Sequence, residues 1–137
     1  SEMCIRDRDG IEKMVCDVEK RSPEMMEEYR SRITEKVEEL LGDKNIDERV
    51  LATELTIYAD KVCVDEETVR LHSHIKNMRD TLKLGDNIGR KLDFIAQEMN
   101  RESNTILSKA NDRALSNIAI DLKTEIEKVR EQIQNIE

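Results

Sequence analysis

Aromatic residues are almost missing from this 137-residue chain, which has one Phe, two Tyr and no Trp. Strands draw on aromatic and β-branched side chains, so a β-rich fold has little to build with. Proline occurs once and glycine four times, which leaves few helix breakers and favours long helices with short connections. The three cysteines, Cys4, Cys16 and Cys63, are odd in number and show neither CxxC nor Cys/His zinc spacing. Reduced thiols fit that pattern better than a disulfide framework, and no chemistry is assigned to them. A run of 18 apolar residues is absent, so no helix is expected to span a membrane, and no basic start with an apolar core marks a signal peptide. A cytoplasmic protein is the expectation. Positive charge is also in short supply, with 23 Lys and Arg against 31 Asp and Glu and a net charge of -8. Composition therefore provides no overall electrostatic footprint for nucleic acid.

What the chain has in quantity is charge, at 39% of residues against 37% hydrophobic. Solvated helices with narrow apolar stripes follow, and the expected fold class is all-α, built as extended antiparallel helical hairpins or a helical bundle. Ile11, Met14, Val15 and Val18 recur at helical spacing up to Lys20 and Arg21. Ser22 then predicts a cap with Pro23 in the first helical position, starting a second helix that carries Met26, Tyr29, Ile33, Val37 and Leu40. Gly42 predicts its end. Asp47 predicts the cap of a third helix with Val50, Leu51, Leu55 and Tyr58, and Asp65 that of a fourth with Val69, Leu71, Ile75, Met78 and Leu82. Gly85 and Gly89 bracket a loop. Leu92, Ile95, Met99 and Ile106 mark a fifth helix. A sixth runs from about Asp112 through Ile118, Leu122, Ile126, Val129, Ile133 and Ile136. Connections this short predict antiparallel neighbours. The narrow stripe of the last helix predicts that the last two helices bury their stripes against other helices rather than folding alone, and such stripes also suit packing between subunits.

Residues 3–8 read MCIRDR, which resembles the conceptual translation of a transposon adapter from sequencing libraries. This segment is set aside as a non-native scar, with the expectation that the gene was cut upstream. Residues 9–46 are expected to form a helical segment of an incomplete central region, and residues 47–137 a C-terminal helical domain.

Residues 89–112, GRKLDFIAQEMNRESNTILSKAND, and residues 122–137, LKTEIEKVREQIQNIE, resemble the C-terminal signature of the YicC/YloC family of bacterial endoribonucleases. Upstream, DERVLATELTIYADK and DEETVRLHSHI are similar to the segment that precedes it. Many matched positions are polar, which amphipathicity alone would leave free. The resemblance implies a metal-dependent, hexameric endoribonuclease acting on RNA, whose N-terminal domain is absent here. Two residues depart from the family pattern: Cys63 stands where an acidic residue is expected, and Leu107 where a glycine is.

Glu98 and Glu102, four residues apart, share one helix face and could share a cation. Glu102 also sits on the apolar stripe of its helix, where a carboxylate needs a cation, an arginine or a metal. An ion pair with Arg101, or with an arginine of another helix or subunit, is the alternative. His72 and His74, two apart, point to nearly opposite sides of a helix and cannot share an ion. His74 matches the family pattern, and Glu67, two turns earlier, lies on about its face. The expected site is therefore catalytic Glu98, Glu102 and His74, with Glu67 joining them as metal ligands for Mn²⁺ or Mg²⁺, ions that favour oxygen donors. Arg90, Lys91, Arg101 and Lys109 are the expected RNA contacts, with Asn100 and Asn104 set on the Glu98 side of the helix. RNA and a homo-oligomer are the expected partners, with no membrane and no small-molecule cofactor. A non-catalytic helical scaffold that regulates RNA decay is the competing function, and it is the one composition alone favours.

Overall fold

The computed structural model describes the backbone of residues 2–42 and 46–136, and the side chains of residues 9–42 and 46–135. The apolar stripes form five helices: α1 Glu2–Leu41, α2 Glu48–Val62, α3 Asp65–Leu82, α4 Gly89–Lys109 and α5 Arg113–Ile136. No strand occurs among the described residues, and the fold is all-α.

Polar pairs between helices fix their directions. Glu19 of α1 meets His72 of α3, with Nε2 and Oε1 2.6 Å apart, and Glu12 meets Arg79. Moving forward along α1 is thus moving back along α3. In the same way Glu67 and Arg70 of α3 face Lys109 and Glu102 of α4, and Asp93 of α4 accepts a hydrogen bond from Arg130 of α5 at 3.2 Å. Helices α1 and α3, α3 and α4, and α4 and α5 are thus antiparallel pairs. Inside this bundle Ile11, Val15, Val18, Leu71, Ile75, Leu92, Met99, Ile106, Leu122 and Ile126 are buried. Helix α2 folds back on α1, where Tyr29 and Tyr58 stack with ring centroids 3.7 Å apart. The Tyr58 hydroxyl donates to Asn111 Oδ1 at 3.2 Å and ties this hairpin to the turn before α5.

The expected break at Ser22 and Pro23 does not occur. The first two expected helices are one 40-residue helix, α1, with Pro23 inside it. An interior proline costs about 3 kcal/mol, because it lacks an N–H and its ring crowds the preceding turn. Val18 and Met25, on either side of it, are both buried, so an unbroken helix keeps one apolar face on the bundle. Arg21 adds a cross-link there. Its Nε and an Nη donate to the two Asp112 oxygens at 2.9 and 2.8 Å, and its guanidinium also reaches Glu24 and Glu28. Ser22 caps nothing. Its hydroxyl donates to the Val18 carbonyl one turn back.

Asp47 does cap α2, accepting from the Arg49 N–H at 2.9 Å, and Asp112 accepts from the Leu115 N–H at the start of α5. Asp65 does not cap α3. It is the first helical residue, preceded by Val64, which offers no side-chain cap. The carboxylates of Asp65, Glu66 and Glu67 in the first turn suit the positive end of the helix dipole instead. Gly42 ends α1 at φ +67, with its N–H bonded to the Glu38 carbonyl at 2.8 Å. Leu40, Val50 and Val69 are exposed rather than part of a buried stripe. The backbone of residues 3–8 continues α1; their side chains, and that of Ile136, lie outside the described residues.

Candidate functional site

The antiparallel pairing of α3 and α4 builds a polar stripe from both helices. Glu67, Arg70 and His74, spaced three and four residues apart, share one side of α3. Lys109, Glu102 and Glu98 face them from α4. Glu67 is only 3% exposed. Its Oε1 accepts from Lys109 Nζ at 2.9 Å, and the same ammonium donates to the Cys63 carbonyl at 3.1 Å. The hydrogen bond that Lys109 donates to Glu67 raises the Lys109 pKa above the ordinary lysine value, against the opposing effect of burial. The other Glu67 oxygen, Oε2, is buried and finds no hydrogen-bond partner among the described residues.

Glu102 is 6% exposed, on the Leu92, Ile95, Met99 and Ile106 face as its spacing indicates. Its Oε2 lies 3.6 Å from an Nη of Arg70. Four residues beyond Arg70 and four before Glu102, His74 and Glu98 stand at the same level of the helix pair. His74 is half-buried and makes no side-chain hydrogen bond or ion pair among the described residues. Glu98 is half-buried, with an Nη of Arg101 3.9 Å away. The structure thus sets Glu67, Glu102, His74 and Glu98 along one seam. Among the described residues, however, no three of their donor atoms come within 4.8 Å of one another. Two reasons are visible. Successive levels of the seam are about 6 Å apart at 1.5 Å per residue, and the basic groups of Lys109 and Arg70 already balance the two buried carboxylates.

Asn100 is not on the Glu98 side of α4. Two residues from both glutamates, it points to nearly the opposite side of the helix, and its Oδ1 is buried without a partner among the described residues. Asn104, two residues from Glu102 and six from Glu98, is off that side as well, and it is exposed, together with Arg90, Lys91 and Arg101. Arg90, Phe94, Gln97, Arg101 and Asn104, spaced four, three, four and three apart, make one exposed stripe along α4 beside the carboxylate seam. Phe94, the chain's one phenylalanine, is 62% exposed there. Sequence reasoning missed Arg70 and Phe94. Arg70 shares the Glu67 and His74 spacing, and Phe94 falls off the Leu92 and Ile95 stripe, so both signals were present. Of the two departures, Cys63 follows the last turn of α2 and contributes its carbonyl rather than its side chain to Lys109. Leu107 continues α4 without a break and packs against the core.

Residues 18–137 match the family described as Endoribonuclease YicC-like, C-terminal. The chain belongs to this family. The "Probable endoribonuclease YicC" of Clostridioides difficile (strain 630) is 48% identical to it over 130 residues, which cover 94% of this chain and 44% of that protein. The protein of the same name from Haemophilus influenzae (strain ATCC 51907 / DSM 11121 / KW20 / Rd) is 38% identical over 129 residues, again 94% of this chain and 44% of the relative. The chain therefore spans less than half the length of these two curated relatives. The α3/α4 seam lies wholly inside the part that matches the YicC-like family. Among the described residues, no helix is long and apolar enough to cross a membrane.

Proposed function

We propose that this chain is the C-terminal part of an endoribonuclease, and that the α3/α4 seam with the exposed stripe of α4 forms its RNA-facing surface. The observation that carries this reading is a pair of buried carboxylates, Glu67 and Glu102, held against basic partners beside an unengaged imidazole. Burying carboxylates is costly and stability alone does not require it. In this reading Arg90, Lys91, Arg101 and Asn104 contact phosphate and sugar, Phe94 offers a face on which a base stacks, and Lys109 holds Glu67 in place. His74, and Glu98 with its long contact to Arg101, are the side chains that take part in proton transfer.

The reading includes a divalent ion, Mn²⁺ or Mg²⁺. Among the described residues one chain does not gather the ligands for it, so the reading takes donors from a second copy, and a homo-oligomer, hexameric as the resemblance implies, is part of the proposal. Labelled RNA incubated with the full-length protein tests it. Cutting is expected to stop on chelation, and Glu102→Gln and His74→Ala are expected to slow it by about 100-fold or more while the helical circular dichroism persists. Full activity in both variants would remove the seam from the mechanism, and activity that survives chelation would remove the metal. One observation favours the second reading, a non-catalytic scaffold: each buried carboxylate already has a cation in the same chain. Full-length protein that binds RNA-decay partners and cuts no RNA would establish that function instead.

A further inference from the structure

The seam uses His74; the other imidazole, His72, faces the opposite way, onto α1, and meets a different set of donors. Cys16 and Glu19, three residues apart on one side of α1, present Sγ and a carboxylate oxygen to the His72 ring, and the three ligand atoms lie within 4.8 Å of one another. Among the described residues this is the one set of three His, Cys, Asp or Glu side chains that comes so close together. We propose that Cys16, Glu19 and His72 form a site for a divalent transition-metal ion of the zinc class, which ties α1 to α3.

The donor set decides the class of ion. Thiolate, imidazole and carboxylate together suit Zn²⁺ and its analogue Co²⁺, with bonds of about 2.3 Å to sulfur and 2.0 to 2.2 Å to nitrogen and oxygen. Mg²⁺ and Mn²⁺ prefer oxygen donors and are the expectation for the glutamates of the seam. Ligands at those bond lengths stand roughly 3 to 4 Å apart around a tetrahedral ion. Small changes in side-chain rotamer are therefore enough to close the set, and the backbone need not move. Glu19 Oε1 and His72 Nε2 are now 2.6 Å apart, joined by a proton that the nitrogen donates. The ion takes that proton's place. The imidazole stays neutral, with its proton carried on Nδ1, and the proton released is that of the Cys16 thiol, so affinity rises with pH. Cys16 and Glu19 are exposed and His72 is half-buried, which leaves an entry path and a fourth position for water. Cys16 also lies just outside residues 18–137, the part that matches the family. Glu19 and His72 lie inside that part, and the set shares no residue with the seam.

Titrating the reduced, full chain with Co²⁺ tests the site. A thiolate-to-cobalt charge-transfer band is expected to saturate at one ion per chain, and Zn²⁺ is expected to bleach it and to raise the melting temperature. An ion held only by oxygen and nitrogen donors of the seam produces no such band. Cys16→Ser is expected to abolish the band and His72→Ala to weaken binding by about 10-fold or more, whereas Cys4→Ser and Cys63→Ser leave both unchanged. Cys16 is exposed, so its replacement leaves folding intact, and circular dichroism checks this. Absence of the band in the parent chain, its persistence in Cys16→Ser, or full affinity in His72→Ala overturns the proposal.

Discussion

Arg21 holds three carboxylates at once, and the effect can be followed in how each group titrates. Its guanidinium keeps the Asp112 carboxyl below the usual carboxylate range, chiefly by hydrogen bonding and with help from the Leu115 N–H. The Arg21 pKa itself is raised, first by Asp112 and then by Glu28. A carboxylate with a lowered folded pKa contributes stability that is fully present above its unfolded value, near 3.9, and is lost as the pH falls through the lowered folded value. Asp112→Ala removes both the α5 cap and this pair. The expected cost is about 2 kcal/mol at neutral pH, shrinking in acid, so that parent and variant urea midpoints draw together as the pH falls through the lowered folded value. A difference between the midpoints that does not change with pH would show that the charge of Asp112 does not contribute. The same sign rule reverses for Lys109. Its raised pKa means that its contribution is present below the ordinary lysine value and is lost in strong alkali, as the pH rises through the folded value.

At the scale of the element, α1 is the instructive case. Ser22 and Pro23 are a good start signal by local rules, yet the helix passes through them because Val18 and Met25 need the same buried face. The penalty for the proline is therefore retained in the native state. Pro23→Ala is expected to restore a hydrogen bond to the residue 19 carbonyl and to raise stability by about 2 kcal/mol, after allowing for the greater freedom of the unfolded chain. Equilibrium denaturation measures this. An unchanged or lowered midpoint would mean that α1 gains nothing from continuity at that turn. In α5 the balance runs the other way. Val129 is 2% exposed, and Val129→Asp places a charge without a partner in the core. A loss of at least about 3 kcal/mol is expected, read from the same denaturation curves.

For the whole molecule, the question is what covers the apolar side chains that the bundle leaves out. Leu40, Leu41, Val50, Ile57, Val69, Phe94 and Ile120 are exposed, and the proposed homo-oligomer is what would cover them. Light scattering on the full-length protein is expected to give the mass of a closed oligomer. A monomer at every concentration would rule out both the assembly and a metal site shared between copies. The acidic net charge of -8 is compatible with RNA contact because it is unevenly placed. Arg90 and Arg101 stand along one exposed side of α4, Lys91 is exposed next to them, and Arg70 and Lys109 offset the carboxylates of the seam.

Much was decided by local pattern. The all-α class, the stripes of α3, α4 and α5, the Asp47 cap, the left-handed Gly42 and the burial of Glu102 each depend on residues within about four positions of one another, the range over which helical periodicity and capping operate. The family resemblance was legible for a related reason, since its polar positions lie in continuous stretches. Other features depended on how one helix is set against the next. That Arg70 rather than Arg101 approaches Glu102, that Lys109 takes Glu67, and that Arg21 reaches Asp112 across 91 residues follow from the register of packed stripes. Spacing within a single helix carries no information about that register. The same packing holds the seam carboxylates apart from any common ion within one chain, while it brings Cys16 and Glu19 to His72. Sequence could show that the two histidines face opposite ways. Only the tertiary structure decided which of them meets a thiol, because a ligand set drawn from two helices exists only once their faces are in contact.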